Sequence, residues 1–298
     1  MNFKSVELSD KEIIDSFLKL NTHPICDYCF TNMFSWKAKF QTEFSIFKET
    51  LFVRYFDENE NVTCYLMPLG KMDLRDSLAI IIEDAERNHI KFVMKQITPE
   101  MYNIINSVMP AIFQSKHDRN NDDYIYFSEK LIKLSGNKLQ SKRNFINRFK
   151  HDNPQWQYLS LHTKDDIEKC TKMLDKWDNL NFAKAKESLR YDYIATKLML
   201  ENFHFLQLKG GAISVNDEIV AFTIGEQLTN DTFVIHVEKA YSNMIGAYTI
   251  INQQFAEFEA YKYLYINRED DMGLENLRKA KMSYHPDILL KKSKLFIL

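Results

Sequence analysis

Twice along this 298-residue chain the apolar pattern drops to a period of two and holds it for three consecutive runs. The first set is Glu43–Lys48, Leu51–Phe56 and Val62–Met67, the last two joined through the turn-forming Asp57-Glu58-Asn59-Glu60-Asn61. The second is Gly210–Val215, Ile219–Leu228 and Thr232–Glu238, punctuated by Asn216-Asp217 and Asn230-Asp231. Such alternation is the mark of half-buried strands, so each set predicts an antiparallel meander. Helical spacing surrounds both. Ahead of the first lie residues 11–20 (Ile13, Ile14, Phe17, Leu20 on one face, Asp10 placed to cap) and 28–40 (Phe30, Met33, Phe34, Trp36). Ahead of the second lie Lys164–Asp178, with Ile167, Cys170 and Leu174 inward, and Ser188–Glu201. After the first come a helix through Leu74, Leu78, Ile81, Ile82 and Ala85, a strand at 91–95, a helix opening at Thr98-Pro99-Glu100, and strands at 111–115 and 124–127. After the second come a helix at 245–259, striped by Tyr248, Ile251, Phe255 and Phe258, then a strand, a helix, and extended ends at 288–290 and 295–298. The halves share no residue-level repeat. Their common order of elements nevertheless predicts a duplicated α+β architecture of mixed, mostly antiparallel sheets, divided into residues 1–135 and 136–298.

Composition narrows the chemistry. Seven glycines in the whole chain argue against glycine-rich nucleotide loops as the main binding device. A formal charge of −2 exerts no global pull on DNA or a membrane, so any polyanion site must be a local patch. No apolar run approaches the roughly 18 residues that span a bilayer, and the N-terminus has no apolar signal core. Four cysteines make no disulfide framework, and the chain reads as cytoplasmic and reduced. Cys26 and Cys29 form a Cys-x-x-Cys, but Cys64 and Cys170 are single and distant, so no metal site is expected.

Charge gathers at a few places where it needs explaining. Tyr263–Ile266 is an apolar strand that empties into Asn267-Arg268-Glu269-Asp270-Asp271, with Gly273 before a helix. Polar groups just past a strand are where ligands of strand-to-helix units sit; a knot of salt bridges is the plain alternative. In the following helix Leu274, Leu277, Arg278 and Lys281 fall at i, i+3, i+4 and i+7, so two cations share the inward face. They need carboxylate partners or a bound anion. The basic stretch from Lys138 to His151 repeats the oddity: Lys142 falls inside the stripe of Leu139, Phe145, Ile146 and Phe149, flanked by Arg143, Asn147 and Lys150. His236 and Glu238 point the same way at the end of the second meander, and Glu226 continues the apolar face of Val220, Phe222 and Ile224. Glu238, or its rival Glu226, is a candidate general base. Gly246-Ala247 opens a helix whose backbone N–H groups are a weak candidate phosphate cradle for a cofactor.

These motifs resemble a known family. Asn267-Arg268-Glu269-Asp270-Asp271-Met272-Gly273, Leu277-Arg278-Lys279-Ala280-Lys281 and Tyr284-His285-Pro286 are similar to the C-terminal signature of the lysylphosphatidylglycerol-synthase C-terminal-domain family. Lys142-Arg143-Asn144 with Asn147-Arg148-Phe149, and Glu238-Lys239-Ala240 with Gly246-Ala247-Tyr248 and Asn252, resemble it too. The resemblance implies tandem acyltransferase (GNAT-like) domains of the N-acetyltransferase superfamily and transfer of an aminoacyl group from aminoacyl-tRNA. The acceptor would be a phospholipid hydroxyl, as in the best-known members, or another hydroxyl or an amine. On that reading Lys142, Arg143, Asn147, Asn267, Arg268, Arg278 and Lys281 hold donor or acceptor, Asp270 and Asp271 take the aminoacyl ammonium, and Tyr284 protonates a leaving group. An acetyl-CoA-dependent N-acetyltransferase using Gly246 and Ala247, or a non-catalytic binding protein of the same fold, are the alternatives. The membrane-spanning part of lipid-modifying members has no counterpart in the sequence.

Overall fold

A computed structural model of the chain describes residues 1–181 and 187–297. The first half runs β1 (Lys4–Ser5), α1 (Lys11–Leu18), α2 (Phe30–Ser35), α3 (Lys37–Phe40), β2 (Glu43–Phe47), β3 (Thr50–Asp57), β4 (Val62–Tyr65), β5 (Leu69–Gly70), α4 (Leu74–Arg87), β6 (Val93–Ile97), α5 (Pro99–Val108), β7 (Phe113–His117) and β8 (Asp123–Phe127). The second runs α6 (Ser128–Lys133), α7 (Gln140–Asp152), β9 (Trp156–Ser160), α8 (Lys164–Asn181), α9 (Glu187–Glu201), β10 (Lys209–Val215), β11 (Glu218–Gln227), β12 (Thr232–Ala240), α10 (Ala247–Phe258), β13 (Tyr265–Asn267), α11 (Glu275–Met282), β14 (Ile288–Leu290) and β15 (Ser293–Ile297). The α+β class and both expected meanders are there. Two compact units result: Met1–Asp123 with Asp270–Glu275 and Leu289–Leu298, and Tyr124–Glu269 with Asn276–Ile288.

Each unit carries one mixed sheet, and the two sheets have the same plan. The first is ordered β1-β2-β3-β4-β6-β15-β7, with β5 beside β3. Its meander is antiparallel, β6 joins it parallel to β4, and β15 returns antiparallel between β6 and β7. The second is ordered β9-β10-β11-β12-β13-β8-β14, again with an antiparallel meander, a parallel neighbour (β13 on β12) and an antiparallel insert (β8). Each sheet therefore takes its sixth strand from the other half of the sequence. This is why a single cut between residues 135 and 136 does not describe the units: β8 and α6 count with the second, and β15 with the first. Pairing partners decide that membership, and they are remote in sequence.

Burial follows the periods. Phe52, Tyr65, Leu78, Ile81 and Ile105 fill the first unit's core; Phe149, Cys170, Leu174, Phe222, Phe233 and Phe255 fill the second's. Some details depart from expectation. The 28–40 helix breaks at Trp36 into α2 and α3. Asp10 does not cap α1 with its side chain, because its carboxylate accepts from Lys4 Nζ (2.8 Å) and the Glu7 N–H (2.9 Å). Tyr248 and Phe258 lie at the exposed ends of the α10 stripe. Strand β9 gave no period-two signal, its Trp156, Tyr158 and Leu159 being only half-buried. Leu298, expected in the final strand, lies outside the described residues.

Candidate functional site

In the second unit two parallel strands part company, and the charged motifs collect where they do. β12 and β13 pair only over Thr232–Val234 and Tyr265–Asn267. Beyond that, β12 continues along β11 to Ala240, while the chain after Asn267 stays with β8: the Arg268 N–H donates to Tyr124 O (2.9 Å) and the Tyr124 N–H to Glu269 O (3.1 Å). A β-bulge sharpens the divergence. Ile224 faces Val237 but Gly225 faces Ile235, so His236 is the extra residue on β12. Gly225 permits it, since a Cβ there would sit 2.2 Å from Val234 O. A glycine inside a strand pattern is the sequence signal of such a bulge, and it was the readable clue to this geometry.

Side chains bridge the opening in two layers. In one, His236 lies fully buried between two carboxylates, with Nδ1 2.8 Å from Glu269 Oε1 and Nε2 3.0 Å from Glu226 Oε1. Burial works against its charge, but the hydrogen bonds to Glu226 and Glu269 more than offset it and raise its pKa to about 9. The imidazolium is thus a charged strut at neutral pH. In the other layer, Arg268 Nη2 donates to both oxygens of Glu238 (3.0 and 3.1 Å), and Asn252 Nδ2 on α10 donates to the same carboxylate (3.0 Å). Arg268 is 8% exposed and its Nη1 is buried with no partner; the Oδ1 of Asn252, 1% exposed, is likewise unsatisfied. Buried orphan donors and acceptors are few in folded proteins, and these two belong to the same layer.

Aromatic rings and a second cation complete this layer. The Arg268 guanidinium lies 4.8 Å from the Tyr284 ring centre and 5.7 Å from that of Tyr126, while Lys142 Nζ lies 4.1 Å from the Tyr284 ring and donates to Ser283 Oγ at 2.6 Å. Burial, then repulsion from Arg268, lowers the Lys142 pKa to about 8 despite the pull of Glu238. Burial pushes Tyr284 up to about 12, so its hydroxyl keeps its proton through the neutral range. Lys281, also buried, donates to Arg268 O, and its own carbonyl accepts from Tyr126 Oη (2.7 Å). Lys142, Glu238, Arg268, Lys281 and Tyr284 are therefore brought together, with Asn252 and Tyr126 as members that no charge pattern singled out.

Other candidates go elsewhere. Glu226 belongs to the His236 layer, so the two carboxylates weighed as bases have different partners. Asn267 is fully buried, and its Oδ1 accepts the Glu269 N–H (2.6 Å), shaping the turn at Glu269, where φ is 58°. That turn divides the loop: Asp270 and Asp271 count with the first unit. There Asp271 is fully buried, 3.4 Å from Arg119 Nη1, and accepts the Gly273 N–H, while Asp270 accepts the Met272 N–H. Those contacts make them loop-forming groups. Arg143 and Asn147 line a separate groove with Lys133 and Lys150. Arg278 is half-buried on α11, one turn before Lys281. Gly246, at φ 88°, has a packing reason: a Cβ would meet Phe145 O at 2.2 Å. The Ala247 N–H is occupied by Met244 O (3.1 Å) and its side chain is fully buried, so these two residues close α10 against α7.

A fold of two mixed-sheet units is shared with known proteins. Residues 19–295 match the family model described as phosphatidylglycerol lysyltransferase, C-terminal, and the chain belongs to that family. A conserved protein of unknown function from Bacteroides thetaiotaomicron is similar over the full length of both chains, at 36% identity and a TM-score of 0.92. The structure of L-PGS from Bacillus licheniformis is similar in fold, with 14% identity and a TM-score of 0.66 over 96% of this chain and 91% of that one. An uncharacterized protein of Mycoplasmoides gallisepticum is 25% identical over 187 residues, which take in 60% of this chain and 59% of that relative's own length. Among the described residues no helix is long and apolar enough to cross a membrane.

Proposed function

We propose that this chain is an aminoacyltransferase that moves an aminoacyl group from aminoacyl-tRNA to a hydroxyl or amine acceptor at the parting of β12 and β13. The observation that carries the reading is the buried guanidinium of Arg268, held by Glu238 through Nη2 and left with an unpartnered Nη1. Arg268, Lys281 and Lys142 gather in this layer around the Glu238 carboxylate, so a proton taken up by Lys142 adds positive charge in a low-dielectric place. Developing negative charge on an ester carbonyl oxygen is the kind of charge such a site stabilises. The acceptor oxygen or nitrogen attacks the carbonyl carbon, the carbonyl oxygen becomes an oxyanion against Nη1, and the ester C–O bond to the tRNA 3′ end then breaks. Lys142, with a pKa of about 8, can take the acceptor's proton in its neutral form. Tyr284, protonated throughout this range, is the donor to the departing ribose oxygen. Glu238, whose oxygens already accept from Arg268 and Asn252, keeps the guanidinium aimed.

The test is transfer of a radiolabelled aminoacyl group from a mixed aminoacyl-tRNA pool to phospholipid vesicles, free amines or nucleophilic side chains of added peptides. Label should leave the tRNA and appear in one acceptor class. Lys142→Met and Arg268→Lys should each lower kcat by about 10²-fold or more, the usual effect of losing one oxyanion donor or proton-transfer group. Label that stays on the tRNA with every acceptor would end the proposal. Coenzyme A at saturation should leave Tm unchanged; a rise would revive the acetyl-CoA reading.

A further inference from the structure

Residues 130–151 contain seven lysines and arginines and no aspartate or glutamate. They fold as α6 and α7, and together with α10 these helices wall a groove of about 310 Å³. Its lining includes Lys133, Arg143 and Lys150, the amides of Asn144, Asn147 and Gln253, and no acidic side chain. Two of its donors are fixed in place from behind. Arg143 Nη1 donates to the carbonyls of Leu134 and Gly136, and Gln253 Nε2 to that of Ile132 (2.9 Å), all at or just past the end of α6. Lys150 Nζ rests 4.8 Å from the Trp156 ring centre. Lys133 also pairs with Glu129, an exposed carboxylate one turn back on α6 that does not line the groove. Cations interleaved with amide donors in a concave lining suit phosphodiester oxygens.

The groove also adjoins the site. Consecutive residues of α7 serve the two places, Lys142 the site and Arg143 the groove, and consecutive residues of α10 do the same, Asn252 and Gln253. Groove and site are thus separated by about a helix diameter, roughly 10 Å. A strand spaced at about 3.4 Å per phosphate covers that in a few nucleotides. We propose that the α6–α7–α10 groove holds backbone phosphates of the RNA whose aminoacylated 3′ end enters the site. This rests on the aminoacyl-tRNA reading and adds where the RNA lies. An RNA strand is favoured over a bilayer because the one apolar lining residue, Ile146, is buried and has nothing to insert into lipid.

The experiment is fluorescence anisotropy of labelled unfractionated tRNA with the full chain across a salt series, for wild type, the Lys133→Gln/Lys150→Gln pair and Arg143→Gln. Lys133 and Lys150 are exposed, so the pair should unfold at the wild-type temperature even if Arg143→Gln loosens the end of α6. The pair should bind tRNA at least 10-fold more weakly near 0.1 M salt. Its log K against log salt slope should be shallower by about 0.7 to 0.9 for each cation removed. The Lys133→Arg/Lys150→Arg pair should bind as wild type. Variants with wild-type affinity and slope overturn the groove, even if aminoacyl transfer is detected. So does absence of tRNA binding by the wild type, or loss of binding to phosphatidylglycerol vesicles in variants that keep tRNA. Groove-dependent tRNA binding without any transfer would uphold the groove and sink the catalytic reading, so the two failures are distinguishable.

Discussion

A histidine with carboxylates on both ring nitrogens, as His236 has in Glu226 and Glu269, ties stability to pH in a definite direction. Its pKa rises from 6.5 to about 9 on folding. The charge therefore stabilises the fold fully below about pH 6.5, and that contribution fades as pH rises through 9. The amount is on the order of 3 kcal/mol, from about 1.4 kcal/mol per pKa unit. Lys142 acts oppositely: held down at about 8 against an ordinary 10.5, it restrains stability while charged and releases that restraint as pH climbs between those values. Urea unfolding of wild type and His236→Gln between pH 6 and 8 should show curves that converge as pH rises. Parallel curves would mean that the imidazole is not charged in the fold. The sequence put His236 and Glu238 on one strand face, but it could not pair His236 with Glu269, because that contact depends on a bulge and on a turn at positive φ.

At the scale of elements, α7 and α10 are the pieces that make both the site and the groove, and their close approach depends on Gly246. An alanine there would place a Cβ 2.2 Å from a backbone carbonyl at a φ of 88°. The nearest atoms, the Phe145 carbonyl and Phe149 Cβ, are not flexible side-chain ends, so Gly246→Ala should destabilise by more than about 2 kcal/mol. Thermal unfolding checks this, and a variant within 1 °C of wild type would contradict the packing. Much of this level was legible beforehand. The apolar stripe of α7 was visible, and Leu139, Ile146 and Phe149 are indeed buried, although Phe145 is 43% exposed. The misplaced Lys142 was visible too, and it faces Tyr284 and Arg268. What could not be read was the division of Lys142 and Arg143 between two places, because a helical wheel gives direction without naming the neighbour.

For the whole molecule, the last strand matters out of proportion to its length. β15 lies between β6 and β7, and Lys292, just before it, is 1% exposed with Nζ 2.8 Å from Asp27 and 2.7 Å from Asp123. Cys26 shares this cluster, its Sγ 3.2 Å from Asp123 Oδ1. The Cys-x-x-Cys thus contributes a thiol to a buried ion pair. Removing the ammonium alone leaves the buried Asp123 carboxylate, with the half-buried Asp27 beside it, without that cation, so Lys292→Ala should lose about 3 kcal/mol. Faster hydrogen exchange in β6, β7 and β15 would report it; a variant as stable as wild type would not fit. By itself the sequence determined the class of the fold and its duplicated order, since alternation and helical spacing are local properties of neighbouring residues. It also marked which cations were out of place. Only the tertiary structure decided which sheet β8 and β15 join, that the Asn267–Asp271 loop is split between two units, and that Arg268 meets Glu238. Those outcomes rest on backbone pairing and burial between residues far apart in the chain, where no local period carries the information.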